Sequence, residues 1–338
     1  MSEVSIAILN WKGKEDTFEC IQSIYKSSYK DFEIVIIDNN SEDGSVEFLK
    51  RKFPFSNFQN LKIIENDYNA GLAGGFNIGL EHCKGEFVVL LGNDTIVDEH
   101  WLEELVKEIK SDEKIAIAGS RIKNLVGYSG EETSGATLNV LFQVALKEKE
   151  SNETTLASLT SLILRKKLFE DAPFIDEYFG NHEDVQLSIL ARLKGYKVTV
   201  TPKSFLIHKG GASVSKVPTL MSFHMDKNVI LDFLILYQVS TILKLLPLFV
   251  IMHLSIIVNS FFTKHFFAKL KAYVWIIKNW RIIPKYRKVI NRQRKISDKD
   301  LLKSAFTYKL PLSGRFGKIL NSIVKAYLYI VGLRTKDM

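Results

Sequence analysis

Residues 86–95, Glu-Phe-Val-Val-Leu-Leu-Gly-Asn-Asp-Thr, set a short apolar run against an abrupt polar end. Glu86–Leu91 reads as a buried strand, and Gly92-Asn93-Asp94-Thr95 as the segment that leaves it. The pattern repeats along the chain. Val4–Leu9, Glu33–Asp38, Lys62–Glu65 and Lys114–Gly119 read as further strands, with Lys14–Ser27, Ser45–Lys52, Ala73–Cys83 and Glu99–Lys110 as helices among them. Alternation at this spacing predicts βαβ units, hence an α/β fold with a parallel sheet covered by helices on both faces. Ligands of such open sheets bind beyond the carboxyl ends of the strands, so the residues there carry the functional weight.

Those ends are polar in each case: Asn10-Trp11, Asp38-Asn39-Asn40-Ser41, Asn66 to Asn77, and Gly92 to Thr95. Asn, Asp and Gly also make ordinary turns. Turn chemistry alone does not call for so many carboxylates and carboxamides on one edge.

Asn69-Ala-Gly-Leu-Ala-Gly-Gly-Phe-Asn77 enters a helix, and its glycines let backbone N–H groups approach a diphosphate at the helix N-terminus. Close helix–sheet packing explains the same glycines. No three of them fall at i, i+2 and i+5, which disfavours a dinucleotide-binding oxidoreductase. Asp94 closes a buried strand, where an unpaired carboxylate is costly, and a divalent cation bridging phosphate oxygens is a natural partner. Asp98 is better placed than Asp94 to cap the next helix. Further on, Phe174-Ile-Asp-Glu-Tyr-Phe-Gly-Asn-His-Glu-Asp184 leads into a helix to Lys194, a stop at Gly195 and a strand over Tyr196–Thr201. Glu183 and Asp184 at that helix start suit the macrodipole. They also suit a general base, raised in pKa by its acidic neighbour, that takes a proton from an acceptor hydroxyl. His208, just past the strand, is placed to complete a metal site with Asp94.

In order, Asn10-Trp11, Asp38-Asn-Asn-Ser41, Asn69 to Asn77, Gly92-Asn-Asp-Thr95, Asp176-Glu-x-Phe179 with Glu183-Asp184, and Pro202 to His208 resemble the family 2 glycosyltransferases of GT-A fold. The likeness is to the rhamnosyltransferase-like group and covers about residues 4–215. It implies transfer of a hexosyl sugar from a nucleotide diphosphate donor, a UDP- or dTDP-sugar, to a hydroxyl of a glycan or lipid-linked acceptor. It further implies inversion at the anomeric carbon and dependence on Mn2+ or Mg2+. By the same resemblance Asp38 would bind the pyrimidine, with Asn10 and Asn39 near it. Asn69, Gly71, Gly74, Asn77 and Asn93 would serve the donor, Asp94 and His208 the metal, and Asp184 the base role beside Glu183. Three positions depart from the family pattern: Gly92 where Asn or Asp is common, Gln186 where a further Asp is frequent, and Leu190 where Arg is frequent. They bear on the sugar and acceptor more than on the reaction type, and Gly92 and Gln186 slightly favour the alternative of a non-catalytic nucleotide- or carbohydrate-binding module that scaffolds a membrane-bound glycan assembly. A nucleotidyltransferase would carry a basic Gly-rich triphosphate signature near its N-terminus, and none is visible there.

The 338 residues carry 46 Lys+Arg and 38 Asp+Glu, a net +8 that hides a split. Residues 1–225 hold 25 basic and 33 acidic side chains, a balance of −8, and residues 226–338 hold 21 and 5, a balance of +16. An apolar fraction of 46% with 7 Pro excludes a disordered chain. Cys20 and Cys83 alone make no disulfide framework and point to a reducing compartment, and Met1-Ser-Glu runs straight into a strand pattern with no sign of a secretory signal. From Val229 to Phe262 the chain is nearly all apolar, and Leu245–Phe262 is 18 residues without formal charge. That is the lower edge of a span of about 20 residues, and Pro247, His253 and Asn259 count against it. Phe266, Leu270, Tyr273, Val274, Ile277 and Trp280 then share a face, followed by eight basic residues and no acidic one over Lys278–Lys295. Residues 1–225 therefore read as the catalytic domain. Residues 226–338 read as a helical region associated with the anionic cytoplasmic face of a membrane. The alternative is a helical subdomain packed on the catalytic domain with a solvated basic face. Nucleic acid is not expected, since no zinc ligands, helix-turn-helix or RNP-like motif are present.

Overall fold

The computed structural model describes residues 2–125, 132–133, 135–147, 154–169, 173–210, 218–261 and 265–338. The first part follows the predicted alternation through β1 (Val4–Asn10), α1 (Lys14–Tyr25), β2 (Phe32–Asp38), α2 (Ser45–Lys52), β3 (Leu61–Glu65), α3 (Gly71–His82) and β4 (Phe87–Gly92). Then come β5 (Thr95–Val97), α4 (Trp101–Ser111), β6 (Ile115–Asn124), β7 (Glu132–Thr133), β8 (Ala136–Leu138), β9 (Val144–Lys147), β10 (Ser161–Arg165), α5 (Glu183–Leu193) and β11 (Lys197–His208). Six helices complete the chain: α6 (Pro218–Leu236), α7 (Val239–Ser260), α8 (Phe266–Lys278), α9 (Ile282–Gln293), α10 (Asp298–Ala305) and α11 (Gly314–Ile330). The α/β domain with a helical C-terminal region is thus observed.

The main sheet runs β3-β2-β1-β4-β10-β6-β11-β5, with β7 on β6, and β8 and β9 pair apart from it. It is mixed, which corrects the parallel sheet predicted from the alternation. β3, β2, β1 and β4 are parallel, but β10 enters antiparallel between β4 and β6, and β5 lies antiparallel on β11. A parallel pairing needs a crossover, usually helical, and the chain reaches β10 from β9 with no helix described between them. β11 also runs past Thr201, so His208 is the last residue of a strand and not beyond it.

Alternate side chains of β1 serve two cores. Val4, Ile6 and Ile8 pack with Cys20, Ile24, Trp101 and Leu105 of α1 and α4, whereas Ala7 joins Phe76 and Leu80 of α3. The α3 side is extended by the C-terminal helices. Tyr237 lies 4.8 Å from the Phe142 ring, Phe306 meets the same ring edge-on at 5.5 Å, and Phe249 stacks on Phe233 at 3.9 Å. Each such buried aromatic contributes roughly 1.5–3 kcal/mol. The 225/226 boundary falls inside α6, and one continuous core runs from the sheet through α6, α7, α9, α10 and α11. α7 is the one described helix long and apolar enough to cross a membrane, and Phe262, the end of the expected segment, lies outside the described residues.

Candidate active site

The β1–β2 register sets Asn10 beside Asp38. Asn10 Nδ2 donates to Asp38 Oδ1 at 2.7 Å and to Ser41 Oγ at 3.1 Å, and Thr17 Oγ1 donates to Asn10 Oδ1 at 2.8 Å. Asp38 also accepts from the Ser41 hydroxyl at 2.6 Å and the Ser41 N–H at 2.9 Å. Asn10 and Asp38 are buried and engaged with each other, beneath the cavity and not on its lining. Asn39 is at the surface of the cavity and holds the next loop. Its Nδ2 donates to Asn69 Oδ1 at 2.9 Å and Gly71 O at 3.0 Å, while its Oδ1 accepts from the Ala70 N–H at 3.0 Å. Gly71 has φ +70°, and a Cβ there would stand 2.5 Å from Phe179 O, so the position requires glycine. Two other predicted donor residues stand elsewhere. Gly74 is inside α3 and off the cavity lining, and Asn77 Nδ2 donates to Asp176 Oδ1 at 2.8 Å and Phe174 O at 3.1 Å, tying α3 to the segment before α5.

The antiparallel pairing of His208 with Thr95 brings Asp94 against the end of β11. Asp94 Oδ1 is 3.3 Å from His208 Nε2, and His208 Nδ1 is hydrogen-bonded to Asn124 Oδ1 at 2.9 Å. A carboxamide oxygen only accepts, so Nδ1 donates and Nε2 is turned with its lone pair toward Asp94 when the ring is neutral. Burial pushes the Asp94 carboxyl up, but the hydrogen bond and charge that His208 supplies in its imidazolium form, with both ring nitrogens donating, lower it and hold the group below its ordinary value. Asn93 Nδ2 donates to Thr17 Oγ1 at 3.0 Å, linking this strand end to Asn10. No third His, Cys, Asp or Glu joins Asp94 and His208 among the described residues.

A cavity of about 700 Å³ brings these groups together: Asp94 and His208, Asn39, Asn69, Gly71 and Asn93, and the carboxylates Glu183 and Asp184. Glu183 and Asp184 open α5. Burial raises the Asp184 carboxyl, opposed by the charge of His182 and by the N–H groups of Val185, at 2.9 Å, and Leu159. Burial, with the charge of Asp184 adding to it, drives Glu183 well above the carboxylate range, and Glu183 Oε1 has no hydrogen-bond partner among the described residues. Beside them is a network that sequence reasoning missed. His182 Nδ1 lies 2.7 Å from Asp232 Oδ2, and Tyr178 O–H donates to Asp232 Oδ1 at 2.7 Å. All three are buried, and Asp232 comes from α6. The available signal was a lone aspartate in an apolar run, which needs a partner if it is to be buried. The start of α6 adds an apolar wall of Leu220, Met221 and Met225, with Asn181 Nδ2 donating to Met221 O at 3.3 Å.

A mixed α/β sheet of this order, with its site at the strand ends and a helical region behind, is a GT-A-like glycosyltransferase architecture. Residues 5–172 match the family described as "Glycosyl transferase family 2", and the chain carries a domain of that family. Over 218 residues it is 25% identical to a GalNAc(5)-diNAcBac-PP-undecaprenol beta-1,3-glucosyltransferase of Campylobacter jejuni, covering 62% of this chain and 63% of that one. The chain spans 62% and 63% of the length of two further curated relatives, both named as glycosyltransferases. Among solved structures it is similar to S. aureus TarS 1-349 in complex with UDP-GlcNAc, with TM-score 0.58, 16% identity, and coverage of 98% of this chain and 92% of that one. A mannosyltransferase from Pyrobaculum calidifontis, solved with GDP-Man and Mn2+, matches with TM-score 0.53 at 14% identity over 98% of this chain and 86% of that one.

Proposed function

We propose that this protein is an inverting glycosyltransferase that moves a hexosyl group from a nucleotide diphosphate sugar to a hydroxyl of a lipid-linked or polysaccharide acceptor, at the cytoplasmic face of a membrane. One observation carries the reading: a single cavity holds a carboxylate–imidazole pair and, on another element, a carboxylate pair at a helix start, Glu183 buried and Asp184 partly exposed to the cavity. Asp94 and His208 fit a divalent cation, Mn2+ or Mg2+. They offer one oxygen and one nitrogen, with His208 oriented by Asn124, and leave coordination positions for donor oxygens and water. A cation bound there would offset charge on the leaving diphosphate.

The protein's own residues do the rest. Asn39 holds the 69–71 loop against the donor, and the buried Asn10–Asp38–Ser41 network beneath the cavity fixes the strand ends that carry Trp11 and Asn39 on its lining. Asp184 accepts the proton of the acceptor hydroxyl as its oxygen bonds to the anomeric carbon on the face opposite the diphosphate; the bond from that carbon to the diphosphate oxygen breaks, and the centre inverts. The wall of Leu220, Met221 and Met225 favours an acceptor with an apolar portion, in keeping with the undecaprenol-linked substrate in the Campylobacter relative's name. The test is calorimetry with a panel of UDP-, dTDP- and GDP-sugars, dTDP-rhamnose included, with and without Mn2+ or Mg2+. Cation-dependent binding of one sugar is expected. Binding of none overturns the transferase reading, and cation-indifferent binding overturns the metal site.

A further inference from the structure

We infer that α7, α8 and α11 present one apolar, basic face that docks in the plane of an anionic lipid bilayer, with α7 lying along the surface and not crossing it. This rests on the membrane attachment proposed above and specifies its form. α7 has two different sides. Thr241, Leu245, Phe249, His253 and Ser260 form a buried stripe along its whole length. Phe249 stacks on Phe233 at 3.9 Å, His253 Nδ1 is 2.8 Å from the Tyr273 hydroxyl, and Tyr327 O–H donates to Lys244 O at 2.7 Å. A spanning helix would have to give up this packing against the rest of the protein. The other side, with Leu243, Leu246, Val250, Leu254, Val258 and Phe261, is exposed.

The helices tied to its two ends repeat the pattern. α8 exposes Phe267, Leu270, Val274 and Ile277, and α11 exposes Phe316, Ile319, Ile323 and Ile330, each set at helical spacing on one face. Apolar faces this extensive mark an interaction surface.

Charge selects the occupant. α7, α8, α9 and α11 contain no Asp or Glu. Of the five acids after residue 225, Asp226 pairs with Lys269, Asp232 with His182 and Asp298 with Arg294, Asp337 accepts from Thr307, and Asp300, the one that is exposed, accepts from the Ser297 hydroxyl at the start of α10. Lys271, Lys278, Lys285, Lys288 and Lys318 are exposed. A second copy would bring these like charges together, and a nucleic acid would leave the apolar stripes in water. An anionic membrane surface satisfies both, with apolar side chains sunk about 5–10 Å into the headgroup boundary. α6 lines the cavity at its start and packs on α8 through the 2.8 Å Asp226–Lys269 pair, so a docked face would hold the cavity beside the bilayer.

The test uses the full chain with vesicles of phosphatidylcholine alone or mixed with phosphatidylglycerol. Binding is expected to the mixed vesicles, weakened at least about tenfold by Leu254→Glu and about fivefold by Lys278→Gln. Ser240→Cys and Asn259→Cys place thiols near the two ends of α7. Cys20 and Cys83 are buried, each with its thiol pushed up to about 12, and give little background. An impermeant maleimide added outside the vesicles is expected to label both sites equally. Protection of one site shows a span and overturns the inference, as do equal binding to both vesicle types, indifference to Leu254→Glu, or a stable dimer with no vesicle binding. Vesicle binding needs no donor, and donor affinity without lipid is expected to be unchanged in Leu254→Glu. Loss of the transferase reading would therefore show separately from loss of the docking face.

Discussion

Asp184 stands between burial, which raises its carboxyl, and His182 with two backbone N–H groups, which favour the charged form. A raised pKa makes the ionised carboxylate a stronger base toward the acceptor hydroxyl. Asp184→Asn is expected to lower kcat by about 10²–10⁴ while cation-dependent donor affinity changes only a few-fold. With the carboxyl raised, the acid limb of kcat should lie above the ordinary aspartate value, the rate falling as protonation removes the base. Full turnover in Asp184→Asn would exclude the base role. Glu183 makes a different prediction. Its folded pKa is far above the unfolded one, so the folded state binds the extra proton and stability falls as pH rises above the unfolded value. Glu183→Gln should flatten that decline, whose slope for one proton is at most about 1.4 kcal/mol per pH unit, in urea melts between acid and neutral pH. Asp94, His208 and Asp184 were legible because strand ends and helix starts are where an α/β sheet puts polar groups. The His182–Asp232 pair was not, since its members lie 50 residues apart and only packing shows that they meet.

Among the elements, the run over β1 to β4 was legible because apolar strands and amphipathic helices differ in period. β10 was not. Ser-Leu-Ile-Leu-Arg is buried at every position, and its antiparallel entry depends on a connection that no local pattern specifies. The glycines of α3 were legible as a group but not by duty. Gly71 serves the turn beside Phe179, whereas a Cβ at Gly75 or Gly79 would stand 2.5 Å from Leu9 Cδ1 or 2.7 Å from Ile37 Cδ1. Those two hold the helix close to the sheet. Gly79→Ala gains about 1 kcal/mol of helix propensity yet forces Ile37 to move in a packed core, where overpacking typically costs about 1–3 kcal/mol. A net loss of stability is expected, read as a lower urea midpoint with unchanged slope. A gain would mean that α3 can shift and that its spacing is not set by these glycines.

At the scale of the molecule, the −8 and +16 halves suggest two separable units, whereas burial joins them. Phe142, of the sheet domain, packs on Tyr237 and Phe306, and Tyr237 O–H donates to Val140 O at 3.1 Å. Asp232 of α6 holds both His182 and Tyr178 at the cavity. A chain ending after Ser222 would lose these contacts together. It would expose the apolar face that α6 and α10 cover and leave His182 and Tyr178 without their buried carboxylate. Truncating a single buried Phe costs about 3–5 kcal/mol, against about 5–15 kcal/mol of net stability for a whole protein. The shortened chain is therefore expected to bind ANS strongly, to lose near-UV circular dichroism and to lose cation-dependent donor binding. A soluble fragment with a cooperative melt and intact donor affinity would show that the sheet domain folds alone and that the helices serve only attachment.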